Sequence, residues 1–197
     1  ILNSADARVY NNTFLDAAAT FQRNQRSAQG DLFGWHATTG PDVDQREGHV
    51  FVNNLLVASE PFRRPLVRFD QPAMMCKRLP RPQAKEIAGN VYVRAALAGE
   101  TASPALIAWS PAATDSCAVT ASSLAEFQKQ APEFEKGARQ LDLTPASVFK
   151  SPDLKRLDLF RELPGGPSGV TAPADVRKLV GWSEQQARTP GAYPLGR

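Results

Sequence analysis

Side chains able to do chemistry are concentrated in residues 21–48: Arg23, Arg26, Asp31, Trp35, His36, Asp42, Asp44, Arg46 and Glu47. His49 follows at once, so both histidines of the chain sit here. Three reactions draw on such a set. β-Elimination on a uronic-acid sugar needs a cation to neutralise the carboxylate and a base to take the α-proton. Arg23, Arg26 or Arg46 suits the first role, because the guanidinium fork pairs with a carboxylate through two hydrogen bonds. His36 or a lysine suits the second. Glycoside hydrolysis needs two carboxylates, about 5–5.5 Å apart for retention or about 6.5–9.5 Å for inversion. Asp42 and Asp44 share one face of an extended segment, with Glu47 close by. Sugar binding without turnover would use Trp35 as a stacking platform and the carboxylates for hydroxyls or Ca²⁺.

Each of these residues also has a plain structural reading. His36 would be a loop histidine bonded to backbone. His49 falls on the same side of a strand as Phe51, which suits a buried role. Trp35, between Gly34 and His36, would pin its loop. Asp42 and Asp44 follow Gly40-Pro41 and would be turn residues. The basic, proline-rich segment 61–85, with Arg63, Arg64, Arg68, Lys77, Arg78, Arg81 and Lys85, reads as a solvated face. Zinc-ligand spacing, a phosphate-binding loop, a dinucleotide glycine motif and a nucleophile elbow are all missing from the sequence.

These residues hang on a repeated bend. Gly48-His-Val-Phe-Val-Asn-Asn-Leu-Leu-Val-Ala58 reads as strand, polar corner, strand, since asparagine tolerates left-handed backbone and satisfies local groups. An Asn-Asn corner differs from the Asn-Gly pair of tight hairpins, and a right-angled bend is the alternative. Arg8-Val-Tyr-Asn-Asn-Thr-Phe-Leu15 and Glu86-Ile-Ala-Gly-Asn-Val-Tyr-Val93 repeat the pattern. Val9, Phe51 and Ile87 fall in one column. Phe14, Leu56 and Tyr92 form a second; Asn12, Asn54 and Asn90 form a third. Unequal offsets with a fixed pattern predict stacked units that differ in loop length. Stacked asparagines would hydrogen-bond along the column.

On these residues the chain resembles right-handed parallel β-helix proteins, secreted bacterial proteins rich in polysaccharide lyases and glycoside hydrolases. The likeness covers roughly residues 1–95. It implies an all-β solenoid of parallel rungs with an irregular C-terminal tail and one or two short helices. Rungs would occupy residues 1–120, with a long loop at 21–48. Residues 121–197 would be a short helix and a tail packed on the outside of the coil. The closing Gly-Ala-Tyr193 adds to the resemblance. It also implies a secreted or periplasmic location and a polysaccharide substrate. The arginine-rich excursion and the basic chain favour a lyase acting on acidic polysaccharide. The predicted catalytic set is His36, Arg46, Arg26 and Asp44, and the substrate-binding set is Arg23, Trp35, Asp42, Glu47 and His49. A hydrolase and a non-catalytic binding or surface-structural protein are the alternatives. The opening directly into a rung predicts that a longer chain's N-terminal rungs precede Ile1.

Composition sets outer bounds. The chain has 197 residues, 42% hydrophobic and 22% charged, which suits one domain with a substantial core. Sixteen prolines and thirteen glycines argue for turns and loops rather than a bundle. A net charge of +3 and a pI near 9.0 favour an acidic partner but not nucleic acid, which calls for a dense basic face. The sequence contains no apolar run long enough to span a membrane. Cys76 and Cys117 are either a disulfide of an exported protein or two buried thiols. Further along, Pro65–Phe69 and Leu106–Trp109 read as strands. Ser122–Gln130 reads as a helix with a serine cap, and Pro173–Gly181 as a second helix stopped by Gly181.

Overall fold

A computed structural model describes residues 1–25, 40–96, 104–149, 163, 169–184 and 188–192. The first pass of the chain lays down three short strands: β1 (Arg8–Tyr10), β2 (Thr13–Leu15) and β3 (Ala19–Gln22). The second gives β4 (His49–Val52), β5 (Leu55–Ala58) and β6 (Val67–Asp70). The third gives β7 (Ala84–Ala88), β8 (Val91–Arg94) and β9 (Ile107–Trp109). Then come β10 (Val119–Ala121), α1 (Leu124–Gln130), β11 (Arg139–Leu141), α2 (Pro145–Val148) and α3 (Ala174–Val180).

The strands sort into three separate sheets, ordered β1-β4-β7, β2-β5-β8-β11 and β3-β6-β9-β10. The Asn-Asn corner is therefore a bend between sheets and not a hairpin. Asn11 and Asn53 hold it in left-handed backbone, at φ 52° and 56°, a conformation that asparagine accepts at lower cost than most residues. The apolar columns fall in register. Val9 pairs with Phe51 and Phe51 with Ile87; Phe14 pairs with Leu56 and Leu56 with Tyr92. Aromatic rings continue the core beneath the third sheet. Phe21 stacks on Phe69 at 4.5 Å, Phe69 meets Trp109 edge-on at 5.1 Å, and Trp109 meets Phe127 at 5.4 Å.

The expected architecture needs correction. An all-β right-handed parallel β-helix would stack uniform rungs as a solenoid. The described strands instead form three separate sheets in layers, one of three strands and two of four, with a few short helices beside them. Two causes interrupt the repeat. After β9 the chain doubles back through residues 110–118, with Ala112 N–H donating to Cys117 O at 3.0 Å, so β10 pairs antiparallel to β9. The chain then enters α1, and β11 rejoins only the second sheet. At the first sheet this pass leaves a single bridge, Ala88 to Lys136.

Both sequence-predicted helices form. Ser123 caps α1 by accepting the Glu126 N–H at 3.1 Å, and Gly181 ends α3 at φ 68°. A segment near the C-terminus docks on the corner at Asn53. The Val170 N–H donates to Asn53 Oδ1 at 2.9 Å and Asn53 Nδ2 donates back to Val170 O at 2.5 Å. Gly191 N–H donates to Asn53 O at 2.9 Å. The closing Tyr193 lies outside the described residues. No helix among the described residues is long and apolar enough to cross a membrane.

Candidate functional site

Arg23 leaves the end of β3 with its side chain fully buried. Its Nε donates to Gln71 Oε1 at 2.8 Å, and Nη2 also bonds to that oxygen. Nη2 further donates to the carbonyls of Leu79 and Arg81, at 3.3 and 3.0 Å. One guanidinium thus ties the first pass to the segment between β6 and β7. The disulfide between Cys76 and Cys117 anchors the same segment to the loop after β9, with Cα atoms 6.3 Å apart. Burial pushes the Arg23 pKa down, nearby Glu47 pushes it back up, and Arg81 pushes it down again.

Arg46 is likewise buried. It donates from Nε to Pro41 O at 3.0 Å and from Nη1 to Asn24 O at 2.9 Å. His49 is buried against Phe21, ring centres 5.2 Å apart, and its Nδ1 accepts the Ala7 N–H at 3.2 Å. Burial lowers the His49 pKa, with Asp6 opposing in part, which favours the neutral ring that accepts this bond. Asp42 precedes the 3₁₀ turn Val43–Gln45 and donates from its backbone N–H to Gln45 Oε1 at 3.3 Å.

Next to these buried groups lies an open cleft of ≈ 580 Å³, lined among others by Asp6, Asp44, Glu47, Arg81 and Lys85. Arg81 pairs with Glu47 at 2.9 Å. Arg78, from the same segment, pairs with Asp44 at 2.8 Å. Gly48 forms part of the wall. Its φ is +86°, left-handed backbone that glycine adopts without strain, and a Cβ there would also displace the Asp6 carboxylate, 2.2 Å away.

Of the sequence-predicted set, the structure brings Asp44 and Glu47 to one cleft, with Arg23 behind Glu47. Arg46 and His49 face inward on backbone partners. Arg26, Asp31, Trp35 and His36 lie outside the described residues. Among the described residues no three of His, Cys, Asp and Glu group to hold a metal ion. Sequence reasoning missed Asp6, Arg81 and Lys85 as cleft residues and Arg78 as the partner of Asp44. The available signal was the charge of segment 61–85, which read as a solvated face. What brings it to the cleft is the long-range contact of Arg23 with Leu79 and Arg81, which no local pattern encodes. The chain matches no family model, no curated protein and no solved structure.

Proposed function

We propose that this chain is a non-catalytic module that binds acidic, uronate-containing polysaccharide along the cleft beside residues 44–48 and 81–85. One observation carries the reading. The described arginines suited to neutralising a substrate carboxylate, Arg23 and Arg46, are buried on internal partners, as is His49, and the cleft acids Asp44 and Glu47 are ion-paired to Arg78 and Arg81, whereas Arg81 and Lys85 stand exposed at the cleft. Arginine and lysine there would meet sugar carboxylates, and Asp6 and Asp44 would accept sugar hydroxyls. The disulfide accords with an exported, extracytoplasmic protein.

The test is calorimetric titration with polygalacturonate, run in parallel with an assay for ultraviolet-absorbing unsaturated ends and one for new reducing ends. Binding without either product is the expected result. Arg81→Ala and Lys85→Ala should each weaken it about tenfold, the equivalent of ~1.4 kcal/mol. Unsaturated ends would overturn the reading in favour of β-elimination, and reducing ends alone would favour hydrolysis. Wild-type affinity in both variants would place any binding elsewhere.

A further inference from the structure

Glu47 occupies an unusual position. Its Oε1 lies 2.9 Å from Arg81 Nη2, and its Oε2 lies 3.9 Å from Arg23 Nη1. Arg23 is wholly buried, and its Nη1 has no hydrogen-bond partner. A buried guanidinium nitrogen with an unused donor is costly unless an acceptor reaches it. At 3.9 Å the Glu47 carboxylate attracts the charge without forming that bond. The Glu47 side chain is 28% exposed, so it forms the floor of the cleft with Arg23 behind it and Arg81 at its rim. Two guanidiniums therefore converge on one carboxylate that solvent can reach.

We infer that Arg23 and Arg81 form a carboxylate-binding subsite, and that Glu47 is a built-in stand-in for the ligand carboxylate that occupies it in the unbound protein. A uronate carboxylate entering the cleft takes the place of Glu47. It gains the unused Nη1 donor of Arg23 and the exposed fork of Arg81, while the Glu47 side chain turns toward solvent and Lys85. The inference rests on the binding reading above and deepens it. It names the recognised group as a monoanionic carboxylate and Glu47 as the residue that sets affinity by competing for the site. Two further charges near the pair, Asp44 on its own arginine and Lys85 at the rim, leave the competition to Glu47.

The experiment uses the full chain and four variants, Glu47→Gln, Glu47→Ala, Arg81→Ala and the double variant Glu47→Gln/Arg81→Ala. Glu47→Gln removes the competing charge and keeps the shape, and should bind polygalacturonate about tenfold more tightly than wild type. The double variant should lose that gain. Glu47→Ala exposes Arg23 without a counter-charge, so its melting temperature should fall and be restored by sodium glucuronate. Equal glucose or sodium chloride should not restore it, and the wild type, whose Glu47 competes for the site, should gain less from glucuronate. If folded Glu47→Gln binds no better than wild type, or if glucuronate and sodium chloride act alike on Glu47→Ala, the stand-in role is refuted. Should Arg81→Ala bind polygalacturonate as wild type does, the binding reading itself fails. A weaker Arg81→Ala beside an unimproved Glu47→Gln defeats the stand-in alone.

Discussion

Asn12, Asn54 and Asn90 line up with one polarity. Asn12 donates from its backbone N–H and Nδ2 to Asn54 Oδ1, at 2.9 and 3.3 Å. Asn54 does the same to Asn90 Oδ1, at 2.8 and 3.1 Å. Asn90 Nδ2 then donates to Glu135 Oε1 at 3.1 Å, and the Tyr92 hydroxyl donates to the same oxygen. The column's donors thus converge on a carboxylate, where another amide would have to turn its own N–H groups away. Glu135 is fully buried, and desolvation raises its pKa from 4.5 to about 7, against the lowering effect of its hydrogen bonds from Tyr92 and Asn90. Between those values the folded chain holds a proton that the unfolded chain has lost. Stability therefore falls as pH rises through this window, by at most on the order of 3 kcal/mol. Glu135→Gln keeps an acceptor for Asn90 and Tyr92 and removes the titration. Urea unfolding at intervals from about pH 4.5 to 8 should show wild type losing stability relative to this variant. A constant difference between the two across that range would disprove the coupling.

The strands and helices differ in how far sequence betrays them. The columns headed by Val9, Phe14 and Asn12 were legible because each is a local pattern repeated with its corner, and parallel register simply superposes the copies. The caps of α1 and α3 were legible for the same reason, since Ser123 and Gly181 act within one turn. The antiparallel return of β10, the entry of β11 into the second sheet and the latch of Arg23 on Leu79 and Arg81 were not. They depend on contacts between residues far apart in sequence, and nothing in their own neighbourhoods repeats. The docking of Val170 and Gly191 on Asn53 belongs with them, and it makes a prediction about elements. Asn53 holds both backbone groups of Val170 through its side chain. Asn53→Gly keeps the left-handed corner and deletes the latch, so it should cost about 2 kcal/mol for two hydrogen bonds. Asn53→Ala adds the strain of left-handed backbone, roughly 1 kcal/mol more. Hydrogen exchange at the Val170 amide should accelerate in both variants, while core amides such as Leu56 change only with global stability. Unchanged protection at Val170 in Asn53→Gly would mean that other contacts hold the segment.

At the scale of the whole molecule, the described residues bury three apolar clusters, the largest of them aromatic and aliphatic with side chains from all three sheets, and the polar groups are divided between two environments. Buried arginines such as Arg94, which donates to Arg64 O at 2.7 Å and Ala105 O at 2.8 Å, hold loops to the sheets. Exposed cations gather with acids at the cleft edge. The net charge is only +3, too small for long-range attraction to dominate, so the affinity proposed for a polyanion would arise locally, at Arg81 and Lys85. Both are exposed, and charge interactions there are screened over about 10 Å at 0.1 M salt. Binding of polygalacturonate should therefore weaken about tenfold between roughly 20 and 200 mM sodium chloride. Folding should respond much less, because the arginines that brace the fold are buried and screened little. Calorimetric affinity and melting temperature measured across the same salt series separate the two. An affinity independent of salt would place recognition on sugar hydroxyls rather than carboxylates. A melting temperature that falls in step with affinity would instead mean that the cleft's exposed ion pairs, Arg81–Glu47 and Arg78–Asp44, carry the fold as well as the ligand.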